Sequence, residues 1–341
     1  MRKMKTQGLV WLLAAMLVLA AGCGQSNGNA NEGINATAAG NAAGSEENKG
    51  ASNSAAGGEG NETRVIEHAM GSTELKGIPQ KVVTLYQGAN DTAVAYGIKP
   101  VGIVESWSEK PIYSYLRDDL EGIPMLGEEH QPNLEALSQL KPDLIVGTKT
   151  RHEAIYDQLS QIAPTVMIDQ VYDWKATVKL MGEALHQEEK ADQLMQDWDD
   201  RVADFKTKMG DRLPIEATIT NFRADHARIF YMGFGGGILK EAGFDRPEGH
   251  DADIWGVTLT SKESIPDMNA DVIFNFNTGT DEEAVQRFYE DWTTHPLWKS
   301  LDAVKNGQVY DVNEVAWNSG GGYLAANNML DQLYEFFNLA P

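Results

Sequence analysis

The sequence predicts an α/β protein of two Rossmann-like lobes with parallel sheets, joined by one long α-helix, with a ligand cleft between the lobes. Three observations carry that prediction. An amphipathic run extends from Glu188 to Met209, a strand-and-helix rhythm of similar length lies on either side of it, and one segment occurs twice.

At the N-terminus, Arg2, Lys3 and Lys5 form a positive region ahead of an apolar run from Leu9 to Ala21. About a dozen residues are too few for a bilayer span of about 20, but they suit the core of a signal peptide. The run ends in Leu19-Ala20-Ala21-Gly22-Cys23, which resembles the bacterial lipobox, with Ala20 where leucine is commoner. The resemblance implies that Cys23 takes a diacylglyceryl group and becomes the first mature residue, so that residues 1–23 are a lipoprotein signal peptide and lipobox. Residues 24–63 are Asn, Gly, Ala, Ser and Glu with little to bury, and they read as a disordered tether. Roughly 40 such residues span about 35 Å root-mean-square.

The first lobe takes residues 64–187. Val82 to Tyr86, Val101 to Val104, Leu144 to Gly147 and Thr165 to Ile168 read as strands, with helices at Ala89 to Tyr96, Leu134 to Leu140 and Glu153 to Gln161. Apolar strands alternating with helices imply a parallel sheet covered on both faces, whose ligands bind beyond the carboxyl ends of the strands. The connecting helix takes residues 188–210. Ala191, Leu194, Met195, Trp198, Val202, Phe205 and Met209 share one face, and Gly210 closes a rod of about 33 Å. A helix cannot hinge as paired β-linkers do, so closure on a ligand should be modest. The second lobe, residues 211–341, repeats the rhythm with strands at Ala217 to Thr220, Arg228 to Tyr231, Asp271 to Phe274 and Gln308 to Asp311. Helices fall at Gly237 to Glu241, Glu282 to Tyr289 and Leu324 to Phe337. The duplicated segment is Leu134 to Val146 against Lys262 to Phe274, with Glu135 and Glu263 in matching places.

Composition excludes several functions. The net charge of −22 argues against nucleic acid, which needs a basic face. One cysteine rules out a disulfide framework or a cysteine metal cluster. No phosphate-cradling loop is present, and the seven histidines lack the spacings of a helical metal site. Gly233 to Gly237 is glycine-rich without the dinucleotide spacing, and it reads as a turn into a helix.

The run Pro132-Asn133-Leu134-Glu135, followed by Leu140-Lys141-Pro142-Asp143-Leu144-Ile145-Val146, completes a pattern. With the lipoprotein signal, the two lobes and the strut, the chain from Arg64 onward resembles the substrate-binding proteins of iron–siderophore and cobalamin ABC importers. Asn221-Phe222-Arg223-Ala224-Asp225-His226, Leu259 to Pro266, and Trp317-Asn318 with Gly321-Gly322-Tyr323 are similar to a Gram-positive branch of that family. That branch takes up citrate–hydroxamate siderophores of the schizokinen type.

The resemblance implies a monomeric, lipid-anchored, extracytoplasmic component that is not an enzyme and has no cofactor. Its partners would be a ferric siderophore, an ABC permease and the ATPase, with iron held by the siderophore and not by side chains. Glu135 and Glu263 would dock onto arginines of the permease; otherwise they are first-turn glutamates favoured by the helix dipole. A ferric hydroxamate wants aromatic walls and a few guanidinium groups. The candidates are Tyr86, Trp107, Arg151, Arg223, Trp255, Trp317 and Tyr323, with His226 and Tyr231 behind them. Trp198, Trp292 and Trp298 are expected in the core. Cobalamin, haem or a bare metal ion are the alternative ligands, and a lipid-anchored enzyme is the alternative outside the binding class.

Overall fold

The computed structural model of the protein describes residues 62–340 other than Asp253. The expected signal peptide, Cys23 and all but the last residues of the tether lie outside the described residues. The described chain opens with a hairpin absent from the sequence reading, β1 (Thr63–His68) against β2 (Gly71–Lys76). The Thr73 hydroxyl donates to the Thr165 carbonyl at 2.7 Å and ties this hairpin to the first lobe.

That lobe runs through β3 (Val82–Thr84), α1 (Gln87–Ala95), β4 (Gly102–Glu105), α2 (Arg117–Leu120), β5 (Met125–Glu128) and β6 (Gln131–Pro132). It continues with α3 (Leu134–Leu140), β7 (Leu144–Thr148), α4 (Lys149–His152), α5 (Tyr156–Ile162), β8 (Thr165–Ile168) and α6 (Trp174–Leu185). The sheet order is β6-β5-β4-β3-β7-β8. Its four inner pairings are parallel. β3, β7 and β8 are buried along their whole length, as their continuous apolar sequence requires. β5 and β6 are antiparallel because only Glu129 and His130 separate them, whereas a parallel crossover needs about a dozen residues or more. The sequence reading left α6 unassigned, although Asp173 caps it by accepting the Ala176 amide at 3.0 Å.

The expected strut forms as α7 (Glu188–Met209), 22 residues long. Glu188 and Glu189 lie at its positive end and Lys206 and Lys208 at its negative end, which favours both termini. Its buried face carries Ala191, Leu194, Trp198, Val202, Phe205 and Met209, and the Trp198 indole donates to Glu241 at 2.8 Å.

The second lobe comprises β9 (Ala217–Phe222), β10 (Ala227–Phe230), α8 (Phe234–Glu241), β11 (Gly256–Leu259) and β12 (Val272–Asn277). It ends with α9 (Glu282–Thr293), α10 (Pro296–Lys299), α11 (Asp302–Lys305), β13 (Val309–Asp311) and α12 (Tyr323–Phe336). Its sheet order is β11-β10-β9-β12-β13. Here the expectation of a parallel sheet holds only for β9, β12 and β13; β10 runs antiparallel to β9 and β11. The cause is the short turn from Arg223 to His226, which can only reverse the chain. The duplicated segment also diverges locally. Leu134–Leu140 is an α-helix, whereas Lys262–Met268 is 3₁₀, with Pro266 inside it lacking the amide an α-helix would use. Trp292 and Trp298 are core residues of this lobe, as expected.

One contact fixes the two lobes to each other. Asp91, on α1 of the first lobe, is fully buried and accepts the Leu324 and Ala325 amides at 2.8 and 2.9 Å. It thereby caps α12 of the second lobe, and it also takes the Tyr115 hydroxyl at 2.7 Å. The surrounding backbones approach so closely that only glycine fits. A Cβ on Gly88 would lie 2.5 Å from the Gly321 carbonyl oxygen, and one on Gly322 would lie 2.4 Å from the Asp91 carboxylate. Replacing Asp91 with Ala strands two amides and a hydroxyl and should lower stability by about 2–4 kcal/mol in urea unfolding. Burial raises the Asp91 carboxyl from 3.8 to about 6. The folded state therefore holds an extra proton between those values, and the stabilisation present below 3.8 is lost as pH rises through 6. The urea midpoint of Asp91→Asn should lack this component of the pH dependence. Gly88→Ala should cost about 1–3 kcal/mol by pushing the lobes apart.

Candidate functional site

A cavity of about 550 Å³ opens between the lobes, beyond the carboxyl ends of β3, β4, β7, β9 and β12. Its floor is the close approach of Gly88 and Gly321, backed by Trp317. Trp317 is buried, lies 4.5 Å from the Phe274 ring and donates its indole N–H to Gln332 at 3.1 Å. It offers the cavity only part of its ring.

The first-lobe wall is built by residues immediately after strand ends. Tyr86 precedes α1, and its hydroxyl is tied to Thr177 at 2.8 Å. Burial holds that phenol protonated to well above its ordinary range. Trp107 follows β4 and is 46 % exposed at the mouth. Arg151 lies in α4, with its guanidinium carbon 6.0 Å from the Trp107 ring centre. Its Nε is bound to Glu129 at 2.9 Å.

Both arginines of the second-lobe wall come from one hairpin. Ile219 and Asn221 on β9 face Phe230 and Arg228 on β10 in register, so alternate residues of both strands point at the cavity. Phe222, Ala227 and Ile229 point the other way, into the lobe's core. Arg223, in the turn, donates to the Thr278 hydroxyl at 3.0 Å. Asn221 donates to the same hydroxyl at 3.0 Å, and its own Oδ1 is buried without a partner among the described residues. Arg228 lies 5.7 Å from the centre of the Trp255 ring, which is 51 % exposed. Burial first, and then the neighbouring Arg223 charge, lower the Arg228 pKa. Neither Arg223 nor Arg228 forms an ion pair among the described residues.

Six candidate residues therefore line one cavity: Tyr86, Trp107, Arg151, Arg223, Trp255 and Trp317. Three do not. His226 lies behind the wall, paired with Asp225 and accepting the Arg228 Nε at 3.0 Å. Tyr231 stacks on His250 at 4.9 Å, because the strand alternation turns it away from Arg228 and Phe230. Tyr323 opens α12 and packs 6.0 Å from Trp174 beneath the floor. Glu135 and Glu263 are exposed on different lobes, at matched positions of the repeat. The sequence reading missed Glu129, Asn221 as a wall residue, and Arg228. Arg228 was legible, since it and Phe230 alternate with the buried Ala227 and Ile229. Glu129 sits in a two-residue turn with no periodic signal. Among the described residues no three His, Cys, Asp or Glu side chains converge as a metal site.

The chain has relatives among known proteins. The chain is 46% identical over 270 residues to the achromobactin-binding periplasmic protein of Dickeya dadantii, covering 77% of this chain and 88% of that protein. It is 40% identical over 285 residues to a probable siderophore-binding lipoprotein of Bacillus subtilis, YfiY, covering 81% and 88%. The crystal structure of Staphylococcus aureus SirA complexed with staphyloferrin B superposes with a TM-score of 0.78 at 49% identity, covering 82% of this chain and 99% of SirA. Residues 82–316 match the periplasmic binding protein family model, and the chain belongs to that family.

Proposed function

We propose that the protein is the extracytoplasmic solute-binding component of an ABC importer. It captures a ferric siderophore between its lobes and delivers it to a membrane permease driven by an ATPase. The observation that carries this reading is the cleft itself: aromatic walls bearing three guanidinium groups, two of them on one wall without an ion-pair partner among the described residues. Two adjacent, partly desolvated cations repel each other until an anion lies between them. The sequence offered Arg151 and Arg223 as the guanidinium groups of a hydroxamate or citrate–hydroxamate site. Arg228 adds a third and favours a chelate with an anionic edge, such as a citrate-bearing one. The ligands named for the Dickeya protein and for SirA support a siderophore as the cargo. Asn221 Oδ1 offers a ready acceptor to a donor on the chelator.

The same reading takes Cys23 as the lipidated first residue on the outer face of a Gram-positive cell membrane. Residues 24–63 then serve as the tether, and residues 64–187 and 211–341 as the lobes of a monomer joined through 188–210. The relative YfiY, named a probable siderophore-binding lipoprotein, supports the anchor. The protein carries out no catalysis, and Glu135 and Glu263 meet the permease from the two lobes.

Tryptophan fluorescence of the soluble body should show saturable quenching at sub-micromolar concentration by one of ferric achromobactin, staphyloferrin B or schizokinen. Binding only to cobalamin or haem would overturn the proposal. Replacing Arg223 or Arg228 with Ala should each weaken that binding tenfold or more, about 1.4 kcal/mol. The combined Glu135→Lys and Glu263→Lys substitutions should leave affinity intact and abolish cellular iron uptake. Unimpaired uptake would remove the docking role.

A further inference from the structure

The first-lobe wall is organised by one nearly buried carboxylate that itself belongs to the cavity lining. Glu129 occupies the two-residue turn between β5 and β6 and is only 3 % exposed. Its Oε1 accepts the Arg151 Nε at 2.9 Å. Its Oε2 accepts the Trp107 indole N–H and the Gln87 amide, each at 3.3 Å. The turn is itself pinned. His152 Nδ1 accepts the Thr148 amide at 3.1 Å, so its Nε2 carries the hydrogen donated to the Glu129 carbonyl at 2.9 Å. Burial lowers the His152 pKa to about 4, so the ring holds this tautomer uncharged at neutral pH.

Beyond Glu129, the Trp107 ring packs edge-on against His130 at 5.1 Å, and Arg151 has no second hydrogen-bond partner among the described residues. Trp107 is half-exposed, and a ring at a cleft mouth would otherwise sample several rotamers. Arg151 uses Nε on Glu129, and its two terminal nitrogens make no hydrogen bond among the described residues. They are left directed by the carboxylate and available to a ligand.

We propose that Glu129 is the positioning residue of the ligand cleft: it holds the Trp107 ring and the Arg151 guanidinium together at one wall. Its negative charge offsets Arg151, so the net positive charge that draws an anionic ligand is left to the opposite wall, at Arg223 and Arg228. This rests on reading the cleft as a siderophore site, and the test separates the two claims.

The ligand-free arm uses acrylamide quenching of tryptophan fluorescence. Glu129→Ala should raise quenching above wild type, and Glu129→Gln, which keeps the volume and one acceptor oxygen, should raise it less. Both increases should vanish in a Trp107→Phe background. The ligand arm titrates ferric staphyloferrin B. Glu129→Ala should weaken binding about tenfold, and adding Arg151→Ala should weaken it little further, since residues acting through one contact are not additive. Unchanged quenching in both Glu129 variants would overturn the positioning role, as would losses from Glu129→Gln and Arg151→Ala that multiply in the double variant. If the wild type does not bind ferric staphyloferrin B, the failure falls on the assignment of the ligand, and quenching alone decides the role of Glu129.

Discussion

The arrangement of the molecule depends on a carboxylate of one lobe capping a helix of the other. The first turn of α12 exposes amides with no partner in the helix, and a buried helix end needs them satisfied. Asp91 supplies the acceptor from across the chain, at 2.8 and 2.9 Å. Because a buried charge with three donors is costly to strip of them, the lobes cannot separate at this point without a large loss. The strut α7 joins the lobes along the chain, and α12 joins them by packing on α1, α6 and α7. The spacing of the cleft floor follows from these contacts and from the glycines that permit them. Movement is left to the rim, where Ser108 reaches Glu314 across the lobes at 3.2 Å and the Trp107 and Trp255 rings stand exposed.

The two walls solve different problems. On the first lobe, Arg151 and Glu129 are paired at 2.9 Å, and the wall presents an aromatic surface with a guanidinium edge and little net charge. On the second lobe, Arg223 is held by the Thr278 hydroxyl and Arg228 by the His226 ring, and neither forms an ion pair among the described residues. A low-dielectric cleft with this asymmetry orients a charged ligand as well as attracting it.

Much of this was legible in the sequence, and the reasons are local. The strut announced itself through seven apolar residues at helical spacing, and β3, β7 and β8 through short continuous apolar runs. Arg151 and Arg223 were found because they follow strand ends. What escaped depended on pairing between distant segments. The direction of β10 was set by a four-residue turn whose consequence appears only once β9 and β10 pair. Tyr323 carried an aromatic signal but is directed beneath the floor by the cap on α12. Glu129 sits where neither periodicity nor composition marks it, and its meaning comes from Gln87, Trp107 and Arg151, which are far from it in sequence.

The hairpin of β9 and β10 places both arginines of the second wall, with Ile219, Asn221 and Phe230, in a dozen consecutive residues, whereas the first wall gathers single residues from loops after separate strands. Within that hairpin one face serves the body and the other serves the cargo, and the alternation keeps the two sets of residues apart. The outward set can change in charge and shape while Phe222, Ala227 and Ile229 keep the lobe packed. Recognition on this side of the cleft is thus a removable lining, carried on a frame that does not need to know what it holds.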